Sequence, residues 1–249
     1  MPEGKWKTRY LFFLVFVSFS TLCLIAVTAF FSPRVSDGFA WRKQLTGSVF
    51  SVLCILGILA IFFPRHCARS PYKERVISER SDFSLQGEYG LQKSSWIGGV
   101  TVTHGHHPIC PLYHQHEFVF GKKTLCSACM GLFCGALISL AGAWLVFFQQ
   151  FPNSLPDWII FSLGAVLIMF GLASYVVAYQ LGPVRRFSLN ALMIVGMLLA
   201  LVGVDSRAHS LTLNVLFIGF FVFVLFTRIN LSQDRHEQIC ATCGQTCTA

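Results

Sequence analysis

The residues best equipped for chemistry lie between His104 and Cys129. They read His107-x2-Cys110-x15-Cys126-x2-Cys129, two ligand pairs each separated by two residues and joined by a loop of zinc-ribbon length. Two intervening residues let a tight turn direct both side chains of a pair at one ion. Three thiolates and an imidazole satisfy tetrahedral zinc without a bound water, so the expected role is structural. Soft sulfur with one imidazole favours zinc, with iron the lesser alternative.

Five of the eight histidines fall in this stretch: His104, His106, His107, His114 and His116. The two HxH pairs among them could replace His107, hold a second ion or orient the ligands by hydrogen bonds, or they could be ordinary solvated loop residues. Cys126-Ser-Ala-Cys129 has two further readings. It is a CxxC at the start of a helix, where the dipole favours a reactive thiolate and hence thiol exchange. Alternatively, Cys126, Cys129 and Cys134 are small residues packing a helix.

A second candidate site is His236-x3-Cys240-x2-Cys243-x3-Cys247 in the tail. Its donors suit zinc or an iron–sulfur cluster completed from outside, and a disordered thiol-bearing tail is the alternative. No Ser-His-Asp set or carboxylate pair accompanies either site. Glu117 is the one acid close to the first in sequence, so no enzyme class is indicated.

The elements that must carry these residues are membrane helices. The chain has 249 residues, 54% hydrophobic and 12% charged, with 25 Phe. That composition excludes disorder, collagen, coiled coil and an ordinary soluble domain. Apolar runs long enough to cross a bilayer extend over Tyr10–Phe31, Gly47–Phe63, Cys126–Phe148, Trp158–Tyr179, Phe187–Val204 and Leu211–Phe226. The expected fold is all-α: a polytopic bundle of about six transmembrane helices. Residues 1–63 hold the first two helices, 64–125 a cytosolic loop with the His/Cys cluster, 126–228 four more helices, and 229–249 a Cys-rich cytosolic tail. The first run exceeds a signal peptide's apolar region and lacks a small-x-small cleavage site, so it is expected to remain as an anchor.

Of the 19 Lys and Arg, all but Arg34, Arg42, Lys43 and Arg207 fall on one side if the N-terminus is inside. By the positive-inside rule both termini and the 64–125 loop are expected in the cytosol, in a cell membrane. The net charge of +8 is thereby explained by topology, and a nucleic-acid partner is not expected. Within the loop, residues 65–93 are basic. They read either as a solvated linker or, at 72–80, as a short helix on anionic headgroups. Reducing conditions there oppose disulfides and leave thiols free for metal.

The spans look empty of ionisable residues, with Asp157, Asp205, Arg207 and His209 all expected at helix ends or loops. A proton relay or ion-coupled pump is therefore disfavoured. Gly131, Gly135, Ser139 and Ala143 recur every four residues and predict a small-residue packing face.

The segment His107 to Gly135, with Cys110, Gly121, Cys126-x2-Cys129-x-Gly131 and Gly135, resembles a family of small prokaryotic membrane proteins known as DUF2085. That family's pattern is H-x2-C, a loop with a Gly, then C-x-R-C-x-G-x3-G entering a membrane helix, and a later Pro-x-Arg, matched here by Pro183-Val-Arg185. Here Cys110 precedes Pro-Leu rather than His-Gln, and Ala128 stands where the family has Arg. The resemblance implies a Cys/His site at the mouth of a membrane helix and supplies no reaction. A membrane thiol oxidoreductase using Cys126 and Cys129, exchanging with Cys240 and Cys243, and a metal-handling protein remain the alternative functions.

Overall fold

A computed structural model describes residues 3–31, 39–62, 94–97, 100–103, 117–120, 123–149, 155–177 and 182–243. For 3–7, 62, 94–97, 100–103, 117, 119–120, 123–124, 175–177, 233 and 236–243 it gives the backbone alone. The helices are α1 (Glu3–Phe31), α2 (Arg42–Phe62), α3 (Ser127–Ala143), α4 (Asp157–Val177), α5 (Pro183–Ala208) and α6 (Leu211–Cys243). A π-helical turn, Trp144–Phe148, prolongs α3. Six helices are long and apolar enough to cross a membrane: Thr8–Phe31, Arg42–Ile61, Ser127–Phe148, Asp157–Ser174, Pro183–Ala208 and Leu211–Ser232. They match the expected apolar runs in number and order, as a multi-pass membrane protein requires.

Burial follows the logic of a lipid solvent. Phe12, Phe13, Phe16, Phe170 and Leu216 point outward, while Ser18, Thr46, Asn190, Asn214 and Thr227 are turned inward. A helix surrounded by hydrocarbon gains nothing by hiding its apolar side chains and must satisfy its polar ones internally.

Helix α5 is the axis of the bundle, packing most extensively on α4 and α3. Its buried residues run from Asn190 to Ala208. The predicted small-residue face does the packing on α3, where Gly131, Gly135, Ser139 and Ala143 are all buried. A Cβ on Gly135 would lie 2.7 Å from the Ala191 carbonyl oxygen, and one on Gly131 would collide with that of Phe187. Only glycine admits the α5 backbone so close. On the other flank, the Phe217 ring lies 4.6 Å from Phe221 and 6.2 Å from Phe161, centre to centre, joining α6 to α4.

The 64–125 region contributes two antiparallel hairpins as well. Strand β1 (Ser94–Ile97) pairs with β2 (Val100–Thr103), and β3 (Glu117–Phe120) pairs with β4 (Lys123–Cys126). The all-α expectation did not include these strands. Alternating Val and Thr at 100–103 carries a period-2 signal, and 117–120 is rich in the aromatic and β-branched residues that strands favour. The short helix considered at 72–80 lies outside the described residues.

Candidate metal centre

The β3–β4 hairpin runs straight into α3, and the candidate site forms at that junction. Cys126 is both the last residue of β4 and the N-cap of α3, in extended conformation with φ −66° and ψ 120°. One turn later, Cys129 faces back toward it, and the two thiols hydrogen-bond to each other. Neither is in a disulfide, and both are partly buried. The spacing that predicted a shared ligand pair therefore does bring the two sulfurs together.

The hairpin is anchored on the bundle by an edge-to-face contact between Phe118 of β3 and Phe187 of α5, with centroids 6.0 Å apart. Its register sets Glu117 opposite Cys126. Glu117 directly follows the segment of His114 and His116, so the histidine-bearing chain joins the fold across from the first sulfur. His104, His106, His107, Cys110, His114 and His116 themselves lie outside the described residues.

Two residues that the sequence reading passed over complete the surroundings. Arg228 of α6 is buried, 7% exposed, and its Nε donates to Asn190 Oδ1 at 2.9 Å. Asn190 Nδ2 donates in turn to the Arg186 carbonyl at 2.6 Å. The Arg228 charge lies within electrostatic reach of Cys129. Next to it in sequence, Thr227 Oγ1 shares a 3.4 Å hydrogen bond with Ser18 Oγ of α1, linking α6 to α1.

Arg228 corrects an expectation. It was assigned to the loop after a span ending at Phe226, yet it lies within the apolar helix that continues to Ser232. Asp205 stands in the last turn of α5, at a helix end as expected, and is buried there. It forms an ion pair with Arg42 at the far end of the bundle. The spans are thus not empty of charge. The signal was present in the sequence, since a polar residue that interrupts an apolar run is normally turned inward and partnered.

Of the tail site, α6 carries His236, Cys240 and Cys243 as one continuous helix, and Cys247 lies outside the described residues. The i, i+4, i+7 spacing puts the three on one helical stripe. The disordered-tail alternative does not apply as far as Cys243. Among the described residues, no group of three or more metal-type side chains converges.

In comparisons with protein families, curated proteins and solved structures, the chain matches none.

Proposed function

We propose that this protein is an integral membrane protein holding one structural zinc ion at the mouth of α3, through Cys126 and Cys129 with His107 and Cys110. The observation that carries the reading is the apposition of the Cys126 and Cys129 thiols at the hairpin–helix junction. A two-residue turn presenting two sulfurs to one point is half of a tetrahedral thiolate site. The Glu117–Cys126 register supports His107 and Cys110 as the other half, because the chain bearing them enters beside the first sulfur. Zinc suits three thiolates and an imidazole, with iron second. The resemblance to DUF2085 agrees with this location and adds no reaction.

The Cys-bearing face is cytosolic in this reading, with both termini on that side of the cell membrane. Support comes from the basic residues Lys5, Lys7, Arg9, Lys122, Lys123, Arg185 and Arg186, which all flank that end of the spans.

The test is elemental analysis of detergent-purified protein, wild type beside Cys129→Ser, with thiols counted in the same sample. One zinc per chain, lost in the variant, is the expected result. Full zinc in the variant sinks the ligand assignment.

A second reading, membrane thiol oxidoreductase, is favoured by one observation: the Cys126 and Cys129 thiols are apposed as a CxxC at a helix start, within reach of a disulfide. A Cys126–Cys129 disulfide in metal-free wild-type protein would select it. The metal-handling alternative has no comparable support, and unaltered cellular metal content on deletion of the protein would remove it.

A further inference from the structure

The end of the bundle opposite the sulfur pair gathers elements that the chain keeps apart. The Arg42–Asp205 ion pair sets the start of α2 beside the last turn of α5. A Cβ on Gly203 would lie 2.9 Å from the Asp157 carbonyl oxygen, so α4 begins at the same level. One on Gly47 would lie 2.6 Å from Phe147 Cβ, which brings the π-helical turn after α3 there too.

Tryptophan collects at this end. Trp41, Trp144 and Trp158 are the tryptophans whose side chains the structure describes, and all three lie here, exposed by 69%, 40% and 62%. Phe39 and Leu155, just before α2 and α4, are exposed as well. An indole has an apolar body and one N–H donor, so it is most stable where hydrocarbon gives way to headgroups. The Arg42–Ile61 span of 20 residues rises about 30 Å, the thickness of a hydrocarbon core, and Trp41 therefore stands at its edge.

The same end holds two cations whose standing differs from that of Arg42. Lys43 and Arg207 are half-buried, and among the described residues neither has an ion-pair or hydrogen-bond partner. Of the two described acids here, Asp205 is taken by Arg42, and Asp157 opens α4, where the helix dipole favours a carboxylate. A cation at the edge of the hydrocarbon extends its head toward phosphate while its stem stays in apolar surroundings.

We propose that this end is a docking surface for anionic phospholipid headgroups, with Trp41 and Trp158 lodged at headgroup depth and Lys43 and Arg207 engaging the phosphates. The surface lies across the bundle from the sulfur pair and does not depend on the metal reading.

The test uses the full chain in phosphatidylcholine vesicles, with Trp41 or Trp158 kept as the sole tryptophan and the others changed to Phe. Fluorescence is quenched by lipids brominated either near the headgroup or deep in the acyl chain, and stronger quenching by the shallow bromines is expected at both positions. In a second arm, a small fraction of shallow-brominated phosphatidylglycerol replaces the choline lipid, and the quenching of Trp41 gives its relative binding constant. With Lys43 and Arg207 in place, phosphatidylglycerol should be preferred by about five-fold per cation. Lys43→Gln combined with Arg207→Gln should abolish that preference. Should a sole-tryptophan chain fail to fold, the quenching lost on Trp41→Phe in the otherwise native chain gives the same reading by difference.

Stronger quenching by the deep bromines, or quenching by aqueous iodide alone, overturns the headgroup depth and the proposal with it. An absence of preference for phosphatidylglycerol, or a preference that survives the double substitution, overturns the role of Lys43 and Arg207.

Discussion

Arg42 of α2 and Asp205 of α5 neutralise each other inside the bundle, Nε to Oδ1 at 3.5 Å, with side chains only 10% and 4% exposed. The arginine's Nη1 also donates to the Asp205 main-chain oxygen at 3.3 Å. Asn214 Nδ2 of α6 donates to the same carboxylate at 2.6 Å and to Thr46 Oγ1 at 3.0 Å. Three helices are thus joined at the end opposite the sulfur pair, by residues from the two loops' edges.

Removing one member of such a pair leaves an uncompensated charge, which typically costs about 3–5 kcal/mol. Asp205→Ala is therefore expected to lower the unfolding free energy in detergent by that order. Joint replacement, Arg42→Met with Asp205→Leu, should cost markedly less than the single change. A double-mutant cycle followed by tryptophan fluorescence reads the difference, and a double variant as unstable as Asp205→Ala would refute it.

The glycines of the bundle divide sharply by surroundings. Gly135 faces the Ala191 backbone at 2.7 Å, whereas nothing lies within 4 Å of a Cβ on Gly57. A backbone carbonyl cannot move aside as a side chain's end can. Gly135→Ala should destabilise by about 1–3 kcal/mol, as overpacking does, despite the roughly 1 kcal/mol that alanine gains over glycine in a helix. Gly57→Ala should be neutral or slightly stabilising. Thermal melts of both variants in one detergent decide the matter.

Thiol reactivity separates a metal-held sulfur pair from a vacant one. Cys126 and Cys129 are expected to resist a maleimide reagent until a strong chelator is added and then to react together. Cys54, buried within α2, should stay unmodified in the folded protein throughout. Mass spectrometry after partial proteolysis locates the adducts. Rapid labelling of Cys126 and Cys129 without chelator would oppose the zinc reading.

The Phe118–Phe187 contact is the described aromatic link between the β3–β4 hairpin and α5. Edge-to-face pairs contribute about 0.5–1.5 kcal/mol beyond their buried area. Phe118→Ala should speed amide hydrogen exchange over 117–126 and leave the bundle's own melting nearly unchanged. Exchange that stays at the wild-type rate would show that the hairpin is held by something else.

Much of this architecture was legible in the sequence because a bilayer imposes a single strong requirement on composition. The six spans announced themselves as apolar runs, and the period of Gly131, Gly135, Ser139 and Ala143 fixed which side of α3 packs. The vicinity of Cys126 and Cys129 was also readable, since two residues between them leave little freedom. The burial of Arg228 was not legible in hydropathy alone. It follows an apolar run, so hydropathy places the membrane boundary there, whereas a partner on another helix lets α6 and its buried face continue past the charge. Asp205 does stand at a helix end, as expected, but its burial and that of Arg42 likewise depend on a partner. That partner, Asn190 for Arg228 and Asp205 for Arg42, is distant in sequence. The strands at 94–103 and 117–126 were missed because segments of four residues carry too little period to outweigh a polar loop composition.

Helix α6 runs for 33 residues without a break from Leu211 to Cys243. At 1.5 Å per residue it is about 50 Å long, against roughly 30 Å of hydrocarbon. The surplus beyond Ser232 carries His236, Cys240 and Cys243 past the end of the apolar span on the same unbroken helix. With no joint between them, whatever grips the tail pulls directly on the transmembrane bundle.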